Sequence, residues 1–311
     1  MVEFESFAVV GTQVFILFLL IGLGFFSARV KISTESGIRC INDIMLYLVT
    51  PCVIIHAFQK EFDMELLKNL LFVIVAAFFS HFLSAFLGFI FIRNECEAKR
   101  KVLRFAAIFS NCGFMALPLL DALLGYEGVF YGAGYLAVFN LLAWSYGQYM
   151  MAKGYEGFDI KKAILNPGVI SVIIGFVFFV FSISLPMVIA VPIEYMSDIN
   201  TPVAMLIIGY TISTLDLKNI FKIREGIVAL LIRLLISPFI ILIVLYLAGF
   251  RGTMLTACIV SSSAPVAATT TMFSIKYNGD DKLASKMVAV STLFSIVTMT
   301  LIVGIAQTIA S

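Results

Sequence analysis

The sequence has little charge and little of the chemistry on which enzymes depend. Only 13% of its 311 residues are charged, about half of the roughly 25% typical of soluble domains. It has two histidines, and its five cysteines are far apart with no C-x-x-C pair, so no metal site or disulfide framework is predicted. H-E-x-x-H and G-x-S-x-G motifs are absent. We therefore predict no catalytic residue and no cofactor.

Long apolar stretches make up most of the sequence. Hydrophobic residues make up 61% of the chain, with a mean hydropathy of +1.05, and a bilayer core needs about 20 apolar residues per helix. The pattern predicts an all-α integral membrane protein in the lipid bilayer, with ten spans at approximately 7–28, 41–59, 67–92, 103–121, 128–152, 166–184, 187–214, 226–248, 252–275 and 285–308.

The basic residues sort the loops between these spans into two sides. Most of the 21 Lys and Arg residues fall in the odd-numbered loops. The positive-inside rule places those loops in the cytoplasm and both termini outside, in a cell membrane. The net charge is only +2, and the basic residues are spread over short loops and form no basic patch. No nucleic-acid partner is therefore expected.

The two halves of the chain match each other at an offset of 151 residues. Thr50-Pro51 aligns with Thr201-Pro202, and Ile108 aligns with Ile259. Five spans in each half is an odd number, so the second half must enter the membrane from the opposite side. The sequence thus predicts an inverted repeat, which is typical of secondary transporters.

The predicted repeat divides the chain into three parts. Residues 1–152 form the first five-helix repeat, 153–165 a short cytoplasmic linker, and 166–311 the second, inverted repeat.

Prolines fall within corresponding spans of the two halves. The second, fourth, seventh and ninth spans are interrupted by Pro51, Pro118, Pro202 and Pro265. A proline removes a backbone hydrogen bond, and lipid cannot satisfy the freed groups, so such breaks occur where they line a cavity enclosed by protein. Paired breaks favour a binding site over simple helix kinks, and predict broken crossover helices at spans four and nine.

Several short motifs in these spans resemble the auxin efflux carrier family, which includes the plant PIN carriers and many bacterial permeases. No single motif is specific, but their order and spacing are. They are Asn42 with Pro51 and His56, Asn111 through Pro118-Leu119-Leu120, Asn140 with Trp144, Asn166-Pro167, Ser197-Asp198 through Gly209, and Pro265 with Lys276-Tyr277-Asn278.

This resemblance implies a fold like that of bile-acid sodium symporters and sodium/proton antiporters. Spans 1, 2, 6 and 7 would form a scaffold that often makes homodimers. Spans 3–5 and 8–10 would form a transport domain that moves by an elevator mechanism, with a small organic anion as cargo. The long loop of many plant carriers is absent here, and Gly168 replaces their second Asn. Auxin is therefore not the expected cargo, and the family resemblance implies malate, malonate or a similar carboxylate instead.

The crossover of spans four and nine is the expected substrate site. Neither span carries a Lys or Arg at that depth, so an anion must be held by amide and hydroxyl groups, freed backbone N–H groups and helix dipoles. The candidate substrate contacts are Asn111, Pro118, Asn140, Ser262, Ser263 and Pro265.

Three ionisable residues within the spans have roles that the sequence leaves open. His56 and Asp198 are candidates for coupling to a proton or sodium ion, or they make structural hydrogen bonds between helices. Arg233 contacts either the anion or an acid of another span. A membrane channel or a membrane-embedded enzyme is the alternative function.

Overall fold

The computed structural model describes residues 2–93, 95–152, 165–214 and 226–310. Within these ranges the chain forms helices and no strands, which confirms the predicted all-α fold class. The helices are α1 (Val2–Arg29), α2 (Glu35–Ala57), α3 (Met64–Phe91), α4 (Glu97–Ile108), α5 (Cys112–Ala152), α6 (Pro167–Val180), α7 (Met187–Asp198), α8 (Asn200–Ser213), α9 (Ile227–Leu247), α10 (Gly252–Ser263), α11 (Thr269–Lys276) and α12 (Asp281–Ala310).

Six of these helices are long and apolar enough to cross a bilayer. They are α2, α3, α5, α9, α12 and the Ala8–Arg29 part of α1. Large apolar side chains such as Phe82 and Phe86 face outward from α3 and are 63% exposed, as expected for a helix surrounded by lipid. The chain is thus a multi-pass membrane protein, whereas the count of ten spans and their inverted repeat stay predictions.

The predicted fourth and ninth spans are each divided by a non-helical break. Residues 109–111 separate α4 from α5, and residues 264–268 separate α10 from α11. Pro265 lies in the second break, but Pro118 does not lie in the first. It lies in the first turn of regular α-helix after a π-helical turn, Cys112–Ala116, and α5 continues through it as far as a kink at Gly125, whose backbone (φ 59°, ψ −154°) is not helical.

Pro51 and Pro118 follow π-helical turns, which corrects the expectation that each one interrupts its helix, and Pro238 follows such a turn as well. The turns Met45–Val49, Cys112–Ala116 and Ile232–Ile236 precede Pro51, Pro118 and Pro238. A π turn accommodates one extra residue, which moves the proline ring away from the carbonyl of the preceding turn. Sequence alone cannot distinguish this arrangement from a break.

The helices contact one another both within and between two groups, which correspond to the predicted scaffold and the predicted transport domain. In the first, α1 lies along α8, and α2 packs on α6 and α7. In the second, α10 packs against α5 and α12, and α3 packs against α4 and α5. The groups touch where α1 meets α12 and where α5 meets α2 and α6.

Glycines allow the backbones of α1 and α8 to touch. A Cβ atom on Gly209 would lie 2.0 Å from the carbonyl oxygen of Ile21, and one on Gly24 would lie 2.4 Å from that of Leu206. Both contacts involve backbone, which cannot rotate away as a side chain can. Small residues at such interfaces are how membrane helices approach closely.

We expect Gly209→Ala to separate α1 from α8 and to destabilise the purified protein by about 1–3 kcal/mol, a typical cost of overpacking. Gly22→Ala on α1 is the matched control, because a Cβ there meets nothing within 4 Å. Thermal unfolding in detergent measures both variants. Equal midpoints for Gly209→Ala and Gly22→Ala would show that the close approach does not matter.

Candidate substrate site at the helix crossover

The two helix breaks pair with each other as a minimal antiparallel bridge. The N–H of Asn111 donates to the carbonyl of Pro265 at 2.7 Å, and the N–H of Ala267 donates to the carbonyl of Phe109 at 3.0 Å. From α12, Ser291 Oγ accepts the N–H of Val266 at 3.0 Å. Backbone groups freed by the breaks are therefore satisfied inside the protein, as the bilayer interior requires.

A cavity of about 200 Å³ lies next to this bridge, between the two groups of helices. One wall comes from α2 and the start of α6, and the other from α5, the second break and α11. Asp43 is the only charged residue among the described residues that line it. The other polar lining residues are Asn42, Tyr47, Thr50, Asn111, Asn140, Trp144, Asn166 and Thr269.

Two residues that line the cavity each carry a polar group with no hydrogen-bond partner within the described part of the chain. These groups are the amide nitrogen Nδ2 of Asn111 and the hydroxyl of Thr269, and both atoms are buried. Each comes from one of the two crossing segments. A buried donor without a partner costs about 1–3 kcal/mol, so these two groups favour a ligand at this place.

The structure brings together only some of the predicted site residues. Asn111, in the break before α5, and Asn140, within α5, line the cavity and are 5% and 9% exposed. Ser262 and Ser263 do not line it, because they lie at the end of α10 and their hydroxyls donate to the carbonyls of Ile259 and Val260 at 3.3 and 3.4 Å. The backbone N–H of Asn111 is not free for an anion either.

The two prolines act on the site through the backbone. Pro265 supplies the carbonyl that accepts from Asn111, and Pro118 is buried within α5. Neither is among the residues that line the cavity.

Thr269 and Thr50 are cavity residues that sequence reasoning missed. Thr269 follows Pro265 by four residues, in the first turn of the helix after the break, which is where a side chain can face a crossover. Thr50 was visible as half of the repeated Thr-Pro pair. Asn42 and Asn166 had been noted only for the family resemblance.

The crossover separates positive from negative helix ends. The N-termini of α5 and α11 begin at the cavity, whereas the last residues of α4 and α10 are not among its lining residues. Each N-terminus carries roughly half a positive charge. The two helix ends therefore place positive potential at the crossover side of the cavity, and the carboxylate of Asp43 lies in the opposite wall, on α2.

His56 and Asp198 lie together, away from the crossover. Asp121 of α5 interacts electrostatically with both of them, and the ring of His56 packs edge-to-face on Tyr126 with centroids 4.6 Å apart. A second cavity of about 280 Å³ adjoins His56 and is also lined by Lys60. Burial lowers the pKa of Lys60, and the negative charge of Glu127 partly opposes this.

Comparison with known proteins identifies the family. A model described as "Membrane transport protein" matches residues 9–303. The chain is 27% identical to an uncharacterized transporter of Methanocaldococcus jannaschii, over 93% of this chain and 96% of that protein. A protein of Rhizobium meliloti named "Putative malonate transporter" is 23% identical, over 91% of each chain.

The chain belongs to this membrane transport protein family, because the match covers nearly its whole length. The resemblance to auxin efflux carriers is thereby confirmed. It is a membrane transporter, and the names of its relatives indicate transport rather than enzymatic activity.

Proposed function

We propose that this protein is a secondary carrier of a small organic anion, a carboxylate such as malate or malonate, and that the anion binds in the crossover cavity. The observation that carries the proposal is the pair of unpartnered donors, Asn111 Nδ2 and the Thr269 hydroxyl, next to two helix N-termini. Asn140 contributes a third polar group. Carboxylate oxygens accept such hydrogen bonds, and the helix dipoles favour a negative charge.

Neutral donors suit a carrier. They bind an anion more weakly than a salt bridge does, so the cargo can leave again on the other side. The cavity volume of about 200 Å³ lies below the roughly 300–1,000 Å³ of sites for drug-sized ligands, which favours a cargo of few atoms. The relative in Rhizobium meliloti that carries malonate in its name supports this class.

The cavity lies between two helix groups, and this supports an elevator mechanism. We propose that α1, α2, α6, α7 and α8 form the scaffold, and that α3, α4, α5 and α9–α12 form the transport domain. Asn111, Asn140 and Thr269 would then move together with the cargo, while Asn42 and Thr50 would stay behind. The cavity lining reaches Asn42 in α2 and Pro167 at the start of α6, and both helices follow loops that the basic residues predict to be cytoplasmic.

Counterflow in proteoliposomes tests the proposal. Vesicles loaded with an unlabelled dicarboxylate should accumulate the same labelled dicarboxylate transiently, and the rate should saturate with concentration. A channel gives no such exchange-driven accumulation. If malate, malonate and a panel of monocarboxylates all fail to elicit counterflow, the anion carrier is the wrong proposal.

We propose the group of His56, Asp121 and Asp198 as the place where a proton or sodium ion is coupled. The same vesicles test this, because coupling is needed for uptake driven by an ion gradient but not for exchange. Asp198→Asn should abolish gradient-driven uptake and leave counterflow intact. Unchanged gradient-driven uptake would exclude Asp198 from coupling.

We propose a cell-membrane location with both termini outside and the 153–165 linker in the cytoplasm; residues 153–164 lie outside the described residues. A cysteine placed at Lys161 should resist a membrane-impermeant reagent in intact cells, and its modification would contradict this orientation.

We further propose a homodimer formed by the scaffolds. Light scattering should then give twice the 34.3 kDa of one chain, and a mass of one chain would exclude the dimer.

A further inference from the structure

The carboxyl ends of the two half-helices meet at one buried side chain. Arg233 of α9 is 1% exposed. Its Nη1 donates to the carbonyl of Ile108 at 2.9 Å and, more weakly, to that of Ala107 at 3.4 Å. Its Nη2 donates to the carbonyl of Ser262. One guanidinium thus bridges the last turn of α4 and the last turn of α10.

These contacts answer the question that the sequence left open for Arg233. It is not among the residues that line the cavity. The ion pair recorded within the described residues joins Arg39 to Glu35, so no described carboxylate is within ion-pair distance of Arg233. Its partners are backbone carbonyls, which no sequence pattern reveals.

The charge of the guanidinium balances that of the helix ends. The last carbonyls of a helix lack partners and carry roughly half a negative charge, so two C-termini together oppose approximately one positive charge. In broken membrane helices, such carboxyl ends and unwound carbonyls are the groups that coordinate sodium ions. Arginine suits this place because its planar fork reaches two acceptors at once and stays protonated.

We propose that Arg233 is a built-in cation of the crossover: its guanidinium occupies the place between the carboxyl ends of α4 and α10 where a bound metal cation would otherwise be required. Because it is covalently attached, it stays through the whole transport cycle. The bridge between the breaks, and with it the position of Asn111 beside Pro265, is then held without a sodium ion at this place. The coupling ion of the proposed function binds elsewhere.

Chemical rescue tests this role in full-length protein. Arg233→Ala removes the cation and leaves a space of its shape. With a carboxylate that gives counterflow in the wild type, we expect Arg233→Ala to lower the rate by about tenfold or more, as for loss of hydrogen bonds to a charged group. Millimolar guanidinium in choline medium should restore a large part of that rate. Arg233→Lys, whose ammonium group is a single point charge, should have a counterflow rate between those of the wild type and Arg233→Ala.

Arg104→Ala is the matched control. Arg104 also donates to the carbonyl at a helix end, that of Ile92 after α3 at 3.1 Å, and its other recorded contacts are with Phe89 of α3 and not with the helix breaks. The Arg104→Ala variant should keep most of the wild-type counterflow rate, and guanidinium should not raise that rate. Counterflow by Arg233→Ala at the wild-type rate, or a folded Arg233→Ala protein that guanidinium does not restore, would overturn the proposal.

A second measurement keeps this inference separate from the proposed function, on which the flux assay rests. In thermal unfolding of detergent-purified protein, millimolar guanidinium should raise the midpoint of Arg233→Ala and leave the wild type and Arg104→Ala unchanged. A wild type without counterflow for any carboxylate would end the proposed function, whereas this shift would still support the built-in cation. If Arg233→Ala does not fold, Arg233→Lys replaces it: a midpoint equal to the wild type would overturn the bridging role.

Discussion

Asn111→Ala should weaken carboxylate binding by about ten- to a hundredfold, which corresponds to roughly 1.5–3 kcal/mol for a hydrogen bond to a charged group. The side chain is 5% exposed, and its Nδ2 has no partner within the described residues. Its loss therefore removes a contact with the anion and breaks no recorded side-chain hydrogen bond. The backbone bond from Asn111 to Pro265 is retained, so the crossover should stay intact.

Binding isotherms of purified protein measure this effect, with Asn69→Ala as the matched control. Asn69 lies on α3, where its amide contacts the hydroxyl of Tyr131 at 3.4 Å, and it is not among the described cavity residues. It should bind like the wild type. Asn140→Ala should resemble Asn111→Ala if both amides hold the cargo. Wild-type affinity in a well-folded Asn111→Ala protein would move the site away from the crossover.

A disulfide between the two helix groups should stop transport. A Cβ atom on Gly11 of α1 would lie 3.5 Å from Cγ2 of Thr300 on α12, so side chains at these two positions are in van der Waals contact and a cysteine pair there can be joined. In a background without the native cysteines, oxidised Gly11→Cys/Thr300→Cys should lose nearly all flux, because the transport domain can no longer move along the scaffold. Reduction should restore it.

A disulfide inside the proposed transport domain is the control for this prediction. A Cβ on Gly88 of α3 would lie 3.7 Å from the Cβ of Ala107 on α4, close to the mean separation of about 3.8 Å in disulfides. Oxidised Gly88→Cys/Ala107→Cys should retain flux, since both helices move together. Full flux through the oxidised Gly11→Cys/Thr300→Cys protein would exclude relative movement of the two groups.

The class of fold and two residues of the crossover cavity were predictable from sequence because they depend on composition and on helix breakers. Apolar runs decide that the chain is helical and in the membrane. Asn111 and Asn140 were predicted, and they face one cavity. Both are polar residues in otherwise apolar stretches of the sequence, where a polar side chain that lacks a partner is costly.

The details that failed depend on which backbone groups pair. The repeat offset aligns Ile108 with Ile259, yet α4 ends at Ile108 and α10 ends at Ser263, one helical turn later. Proline was expected to mark both breaks, but a π turn accommodates Pro118 within α5. The place of Arg233 depends on carbonyl groups, which every residue has. None of these features leaves a side-chain pattern in the sequence.

A structure determined with a bound carboxylate tests the central claim most directly. The ligand should be one that gives saturable counterflow. We predict its carboxylate beside Asn111 Nδ2 and the Thr269 hydroxyl, at the N-termini of α5 and α11, with Asn140 in contact. A ligand bound elsewhere, with Asn111 and Thr269 still without partners, would contradict the crossover as the site of transport.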